Sequence, residues 1–279
     1  MKNPARLKRQ ALAVSSWLLK TAIGIVFISP LIIGLLFSFQ SDQALSTAPL
    51  QLIPDHPTLE NYIAVFQQLP MLSYLKNSLI VCGICIFSQI TLAIFAAYAF
   101  VFFEFPLKKQ LFSLILMTSM IPSEIVIITN YTTVQSLGFT DSYAGLVLPS
   151  LISGSAVFLM RQYFLTIPTD IRDAATIDGC GHMRFLFQIV LPLSVPTISA
   201  LSVYLFVQIY NQFFWPLLVT NSDQWRTVQT GITYLVSGDI VSYGQILAGA
   251  MIAIIPTVLM FLFAQDHLIR GMSSDGIKG

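Results

Sequence analysis

Long apolar stretches without formal charge alternate along the chain with short polar connections. Six such stretches are 21–41, 77–103, 110–140, 142–160, 185–222 and 240–265, and Glu124 is the single charged residue within them. Each can supply the roughly 20 residues that an α-helix needs to cross about 30 Å of hydrocarbon. They are continuously apolar rather than alternating, which favours helices over barrel strands. The pattern predicts an all-α fold, a polytopic membrane bundle of six transmembrane helices.

Composition strengthens this prediction. Of 279 residues, 55% are hydrophobic and only 10% carry a formal charge, where an ordinary soluble domain has about 25% charged residues. So few charges cannot cover a soluble surface of this size, which excludes a soluble enzyme. The formal net charge of +1 leaves no basic surface for nucleic acid.

The distribution of lysine and arginine predicts the orientation. Six spans place both termini on the same side of the bilayer, and 12 of the 14 basic residues fall on that side, namely Lys2, Arg6, Lys8, Arg9, Lys20, Lys108, Lys109, Arg161, Arg172, Arg184, Arg270 and Lys278. Only Lys76 and Arg226 fall on the other side. Because cytoplasmic loops carry an excess of lysine and arginine, both termini are expected in the cytoplasm.

Few residues suggest catalysis or metal binding. Cys82 and Cys85 lie three residues apart within an apolar stretch, where packing is the expected role rather than redox chemistry. The three histidines lie in separate connections and form no metal-ligand pattern. We therefore predict no catalytic residue and no metal site.

The connection between the fourth and fifth stretches has the features of a short helix. Pro168 and Thr169 favour a helix start, Asp170 places negative charge near the positive end of the helix dipole, and Gly179 is a suitable C-terminal residue. The pattern predicts a helix over 170–178. Ile171, Ala174 and Ala175 share one face, which suits docking to another surface; a helix that merely caps the bundle is the alternative.

The spacing within this connection resembles the cytoplasmic signature of permease subunits of binding-protein-dependent ABC importers. Asp173-Ala174-Ala175 is followed after three residues by Gly179, and after nine more by Ile189, Leu191 and Pro192. The family usually has glutamate at the position of Asp173, a mild departure. The resemblance implies an ATPase-coupling role for nine residues: Asp170, Asp173, Ala174, Ala175, Asp178, Gly179, Ile189, Leu191 and Pro192.

Four further stretches resemble carbohydrate-type permeases of the same family, similar to the second permease chain of maltose-type and glycerol-3-phosphate-type systems. These stretches are 120–124 with 137–146, 210–218, and the glycine-rich end at 270–279. The resemblance implies one transmembrane domain over 1–279, a cytoplasmic coupling loop over 165–192 and a cytoplasmic tail over 267–279. It also implies a multi-pass protein of the bacterial cytoplasmic (inner) membrane.

The resemblance further implies the partners and the energy source. The chain has no phosphate-binding loop, so no cofactor is expected on it, and ATP and Mg²⁺ would bind to two cytoplasmic ATPase subunits. A second homologous permease and an extracytoplasmic solute-binding protein would complete the importer within the lipid bilayer. Closure of the ATPases would move the helix over 170–178 as a lever.

Candidate solute contacts come from polar and aromatic residues within the spans. A sugar needs amides for its hydroxyl groups and rings for stacking, and an intramembrane charge suggests a functional role. The candidates are Glu124, Asn130, Tyr131, Gln208, Asn211, Gln212 and Trp215. Hydrogen bonding between helices is the alternative role for each.

Two other functions stay open on the sequence. The solute could be glycerol-3-phosphate or its diesters instead of a sugar, although the six stretches contain no lysine or arginine to attract a phosphate. In a different class, an ion-coupled secondary transporter would use Glu124 as its proton- or sodium-linked group. Six spans are few for the inverted repeats of such transporters, which counts against this alternative.

Overall fold

The computed structural model describes residues 4–47, 52–236 and 242–273, with the backbone alone for 4–13, 46–47 and 266–273. Within these ranges the chain forms fourteen α-helices, with short 3₁₀ segments at Leu148–Ser150 and Ile232–Leu235 and a π-helical segment at Leu186–Val190. The α-helices are α1 Pro4–Ser38, α2 Asp42–Thr47, α3 Glu60–Gln68, α4 Met71–Phe102, α5 Lys108–Ser119, α6 Ser123–Ser136, α7 Tyr143–Val147, α8 Gly154–Phe164, α9 Thr169–Ile177, α10 His182–Phe185, α11 Leu191–Tyr210, α12 Phe214–Val219, α13 Val228–Gly231 and α14 Tyr243–Ser273. The predicted tail residues 274–279 lie outside the described residues.

The chain divides into two compact units, 1–69 with 232–252 and 70–231 with 253–279. In the first unit, Asn61 on α3 ties down the end of α1. Its side-chain amide donates hydrogen bonds of 2.9 and 2.7 Å to the carbonyl oxygens of Ser38 and Gln40. Asn61 is buried, so both donors are satisfied where water cannot reach them.

The second unit is organised around α4, which packs along α8 and α11. Ala93 and Ala97 on α4 and Ala156 on α8 are fully buried. Small residues let helix backbones approach closely in a membrane, where packing rather than the hydrophobic effect holds helices together. The core of this unit therefore lies along the length of α4.

Four described helices are long and apolar enough to cross a membrane: Val14–Ser38, Met71–Phe102, His182–Tyr210 and Tyr243–Gln265. Two further spans are bent pairs, Lys108–Ser119 with Ser123–Ser136 at 92° and Tyr143–Ser150 with Gly154–Phe164 at 48°. The structure thus contains four spans, or six when each pair counts as one. The predicted all-α polytopic fold is confirmed.

Two of the predicted spans differ in form. The third stretch is not one helix over 110–140, because Pro122 has no amide hydrogen and restricts the residue before it, so the helix stops at Ser119 and restarts at Ser123. The fifth does not continue to 222. It ends at Tyr210 and is followed by the separate helix α12. A continuous helix over 185–222 would be about 57 Å long, far more than one bilayer crossing requires.

Candidate coupling helix and solute pathway

Helix α9, Thr169–Ile177, lies one residue before the predicted range of 170–178. Pro168 precedes it in an extended conformation and Asp170 lies in its first turn. At its other end, Gly179 has a φ of 71°. The Gly179 amide donates to Thr176 O at 3.0 Å and the Cys180 amide donates to Ala175 O at 2.9 Å. These two bonds form a Schellman motif, so the predicted role of Gly179 as a helix terminator is confirmed.

The structure separates the two alanines of the signature. Ala175 is buried at 6% exposure, whereas Ala174 is exposed. Ile171 is half-buried beside Ala175, and Asp173 is exposed. Ile177 is an apolar side chain that is 86% exposed. The shared face of Ile171 and Ala175 therefore packs against this chain, and the surface open to another protein carries Ala174, Ile177, Asp170, Asp173 and Asp178.

An aromatic cluster at the end of α4 anchors the segments on either side of α9. The Phe102 ring lies 6.2 Å from the Phe164 ring, before α9, and 5.4 Å from the Phe185 ring, after it. Tyr98 donates a 2.9 Å hydrogen bond to the carbonyl oxygen of His182, and the His182 ring lies 4.5 Å from that of Phe103. Both ends of the α9 connection are thus held by α4.

Ile189, Leu191 and Pro192 lie where the connection joins α11. Ile189 belongs to the π-helical segment Leu186–Val190, and Pro192 is in the first turn of α11. Proline cannot donate to the carbonyl four residues earlier, and its ring crowds that carbonyl. The wider π turn relieves this conflict. Sequence reasoning missed the π segment, although a proline after an apolar helical stretch was the signal for it.

Three pathway candidates lie on α6. Glu124 is exposed and sits in the first turn of this helix, directly after the 92° bend. It accepts a 3.0 Å hydrogen bond from the hydroxyl group of Ser123. A carboxylate is stabilised near the positive end of a helix dipole. Asn130 and Tyr131 are half-buried further along the helix.

The remaining candidates lie at the end of α11 and after it. Gln208 and Asn211 are exposed, and Asn211 accepts a 3.3 Å hydrogen bond from the amide of Gln229. Gln212 is half-buried. Trp215 is 8% exposed, and its indole N–H lies 3.2 Å from the carbonyl oxygens of both Gly145 and Leu146. Trp215 therefore holds α12 against α7, which is the alternative role expected for these residues.

A polar network at the opposite end of α4 was missed by sequence reasoning. Tyr74 donates a 2.8 Å hydrogen bond to Asp223, which also pairs with Arg226. Asn77 donates to the carbonyl oxygens of Gln224 and Arg226, at 2.9 Å each. The network fixes the loop after α12 against the start of α4. Tyr74 and Asn77 near the start of an apolar helix were the available signal.

Asp141 fixes the other side of this loop. Its carboxylate accepts hydrogen bonds from the backbone amides of Asn221 and Ser222, at 2.7 and 3.0 Å. Burial raises the pKa of the Asp141 carboxyl, but the backbone and side-chain hydrogen bonds from Ser222 and Asn221 outweigh burial and lower it below its usual value. The ionised form of Asp141 thus stabilises the loop.

Comparison with known proteins adds three observations. Residues 89–274 match the family described as "Binding-protein-dependent transport system inner membrane component". The chain is similar to the sn-glycerol-3-phosphate transport system permease protein UgpE of Yersinia pestis bv. Antiqua, with 35% identity over 259 residues, which cover 90% of this chain and 92% of the relative. The protein of the same description from Brucella abortus (strain 2308) is 35% identical over 260 residues, with the same coverage.

Two solved structures share the fold. One is a bacterial ABC transporter involved in the import of the acidic polysaccharide alginate, with a TM-score of 0.79 and 16% identity over 93% of this chain and 97% of that chain. The other is a bacterial alginate ABC transporter in complex with a periplasmic protein bound to an alginate pentasaccharide, with a TM-score of 0.64, 19% identity, and coverage of 93% and 94%. At sequence identities of 16% and 19%, these similarities show a shared fold alone.

Proposed function

We propose that this chain, which belongs to the family of inner membrane components of binding-protein-dependent transport systems, forms part of the membrane pathway of an ATP-driven importer for a sugar, an oligosaccharide or a sugar-like polyol. The chain itself hydrolyses no ATP. Two separate cytoplasmic ATPase subunits bind ATP and Mg²⁺, a second homologous permease completes the pathway, and an extracytoplasmic binding protein delivers the solute. Because the chain belongs to this family, we no longer consider the alternative of an ion-coupled secondary transporter that uses Glu124.

The exposed face of α9 is the observation that supports coupling to an ATPase. It combines a small residue, Ala174, an apolar side chain exposed at 86%, Ile177, and the carboxylate of Asp173. Burial of the exposed Ile177 side chain by a partner would be favourable, and the small Ala174 beside it leaves room for that partner to approach. We infer that Ala174 and Ile177 pack into a cleft of the ATPase while Asp173 makes a polar contact with it.

The aromatic cluster gives this contact a route into the membrane. Because Phe102 on α4 contacts rings on both sides of the α9 connection, a displacement of α9 by the ATPase moves the end of α4 with it. Rigid-body movement of packed helices is a common way to open a cavity alternately to each side. In this proposal α9 is a lever and α4 is the span that it drives.

Substitution of the two alanines tests the coupling role. We expect Ala174→Leu to leave the chain folded while ATP-driven uptake falls by about tenfold, equivalent to ~1.4 kcal/mol of lost contact. Ala175→Leu is the matched control for a structural effect. The added side chain would overpack the interior at a cost of about 1–3 kcal/mol and lower the amount of folded chain. The measurements are uptake per folded complex and co-purification of the ATPase; full uptake by Ala174→Leu would refute the proposal.

The solute class rests on different observations. The relatives at 35% identity are described as sn-glycerol-3-phosphate permeases, which favours glycerol-3-phosphate or its diesters as the second candidate. The pathway residues we propose are Glu124, Asn130 and Tyr131 on α6 and Gln208, Asn211 and Gln212 at the end of α11, which are polar but provide no cation. Amides and a phenol suit sugar or glycerol hydroxyl groups. A phosphate would have to be neutralised by the second permease or by the binding protein.

A ligand screen on the cognate binding protein separates the two solute classes. The protein would be titrated with maltooligosaccharides, monosaccharides, polyols, glycerol-3-phosphate and its diesters. Binding of an uncharged sugar or polyol supports the main proposal. Binding of glycerol-3-phosphate alone establishes the second candidate, with the permease role unchanged.

A further inference from the structure

We propose that a cavity at the end of α4 near Phe102 binds the phosphate group of an anionic phospholipid. The cavity has a volume of about 440 Å³, within the range of small-ligand sites. It lies where α4 ends, α5 begins and α8 ends. Its lining includes Lys108, Lys109 and Arg161, with Glu104 as the one acid. This inference is independent of the solute that the importer carries.

Arg161 is the group that requires an explanation. Its Nε atom is one of two buried side-chain nitrogen or oxygen atoms without a hydrogen-bond partner in the described part of the chain; the other is Gln89 Oε1. Its guanidinium group lies over the Phe112 ring, with Cζ 4.1 Å from the ring centroid. This cation–π contact holds the charged end of Arg161 in place beside Phe112. Because Nε itself is closed to solvent, a ligand in the cavity would meet the other N–H groups of the guanidinium, which also need acceptors.

The groups around Arg161 fit a phosphate in the cavity beside its guanidinium group. Lys109 is exposed at the cavity, and Lys108 donates to Phe103 O at 2.7 Å and to Glu104 at 3.1 Å. The Glu104 side chain is 92% exposed, so its pairing with Lys108 is weak. The first backbone amides of α5 have no side-chain cap. The positive end of the α5 helix dipole lies at this N-terminus, beside the cavity. Three cations and a helix start favour an anion.

The position within the molecule favours a lipid as the source of the phosphate. The cavity lies at the ends of three membrane-crossing segments, α4, α5 and α8, which is the level at which we expect phospholipid headgroups. Phe100 and Leu165 provide apolar lining, and α5 continues away from it with Leu111 and Leu114 exposed at 44% and 57%. Acyl chains can follow this apolar surface while the phosphate contacts Arg161. Basic pockets between spans on the cytoplasmic side are known to bind anionic headgroups.

The test uses the full chain in nanodiscs of phosphatidylcholine that contain spin-labelled phosphatidylglycerol. We expect phosphatidylglycerol to associate in preference to labelled phosphatidylcholine. Arg161→Gln should reduce this preference by about fivefold, the effect of one basic group near an anionic headgroup. Lys109→Gln, an exposed substitution that leaves the core untouched, should reduce it less. Arg184→Gln is the charge-matched control, because Arg184 pairs with Gln188 outside the cavity, and it should change nothing.

Other results would overturn the inference. Equal losses for Arg161→Gln and Arg184→Gln would indicate attraction to surface charge alone, and no loss for Arg161→Gln and Lys109→Gln would remove the site. Displacement of the labelled lipid by millimolar inorganic phosphate would assign the cavity to free phosphate instead. The readout needs neither solute nor ATPase. A failure of the permease proposal would therefore appear as absent transport with lipid binding intact.

Discussion

Asp141 is a carboxylate on which the conformation of a loop depends. It has a φ of 52° and its carboxylate accepts the amide hydrogens of Asn221 and Ser222. A left-handed conformation is tolerated by aspartate better than by most residues, and the hydrogen bonds hold it there. One side chain thus determines the path of the loop that follows α12.

The lowered pKa of Asp141 predicts how this loop responds to acid. Because the folded pKa lies below the unfolded one, Asp141 stabilises the loop fully above the unfolded value of about 3.9. The stabilisation is lost as the pH falls through the folded pKa. We therefore expect hydrogen exchange in 219–226 to be constant from neutral pH to about pH 5 after correction for intrinsic rates, and to accelerate below about pH 4.

Two variants test whether Asp141 causes the acid response. Asp141→Asn should show faster exchange in the loop already at neutral pH and lose the additional acid response. Asp55→Asn, at an exposed position in a different connection, should behave as the native chain. An unchanged acid response in Asp141→Asn would show that another group controls the loop.

Trp215 illustrates what the sequence could not decide at this scale. A tryptophan at the end of an apolar stretch has the same composition whether it lines a pathway or packs between helices. The carbonyl groups of Gly145 and Leu146 that take its N–H come from a helix about 70 residues earlier. The choice depends on which helices meet, and that information is distributed over the whole chain.

At the scale of the element, α9 was predictable because its signals are local. Proline and aspartate at its start and glycine at its end act within one or two turns, and the structure differs from the predicted range by one residue. The bend in the third span also has a local cause, Pro122. The hydropathy pattern did not reveal the bend, because the residues on both sides of it are apolar and hydropathy does not depend on the direction of the backbone. The burial of Ala175 was not local, since it depends on the chain that packs beneath α9.

Gly179 and Gly181 provide a matched pair for testing the end of α9. Both have open space where a Cβ atom would lie, but Gly179 has a φ of 71° and Gly181 a φ of −72°. Alanine in a left-handed conformation costs about 1–2 kcal/mol. We expect Gly179→Ala to speed hydrogen exchange in the last turn of α9 by about fivefold and Gly181→Ala to leave it unchanged.

Transport extends this comparison. If the left-handed turn sets the angle of α9, uptake by Gly179→Ala should fall while uptake by Gly181→Ala stays at the native level. Equal behaviour of the two variants in both assays would mean that the angle of α9 does not depend on the conformation of Gly179.

At the scale of the whole molecule, the basic residues are distributed unequally between the two ends of α4. Within the second unit, Lys108, Arg161 and Arg172 lie near the Phe102 end of α4, and Arg226 lies in the network at the Tyr74 end. The sequence already contained this asymmetry, because 12 of its 14 lysine and arginine residues lie in the termini and connections assigned to one side. The sequence could not show that one end of α4 holds a hydrogen-bonded polar loop and the other end the candidate coupling helix and the cavity.

The native cysteines allow the proposed orientation to be tested. Cys82 and Cys85 are buried at 2% and 0% exposure, whereas Cys180 is partly exposed just after α9. If the basic end is cytoplasmic, a membrane-impermeant maleimide should leave the chain unlabelled in spheroplasts. It should label Cys180 in inverted vesicles from which peripheral subunits have been stripped with urea.

The control places the only accessible thiol of the described residues at the opposite end of α4. In a Cys180→Ser chain, Gln224→Cys places a thiol at an exposed position in the polar loop at the other end of α4. It should be labelled in spheroplasts and protected in sealed inverted vesicles. Labelling of Cys180 in spheroplasts would show that the orientation is the opposite of the proposed one. Helix α9 would then be out of reach of a cytoplasmic ATPase. The coupling proposal would then fail together with the orientation, whereas the cavity at Arg161 would face the outer leaflet and still be open to an anionic lipid.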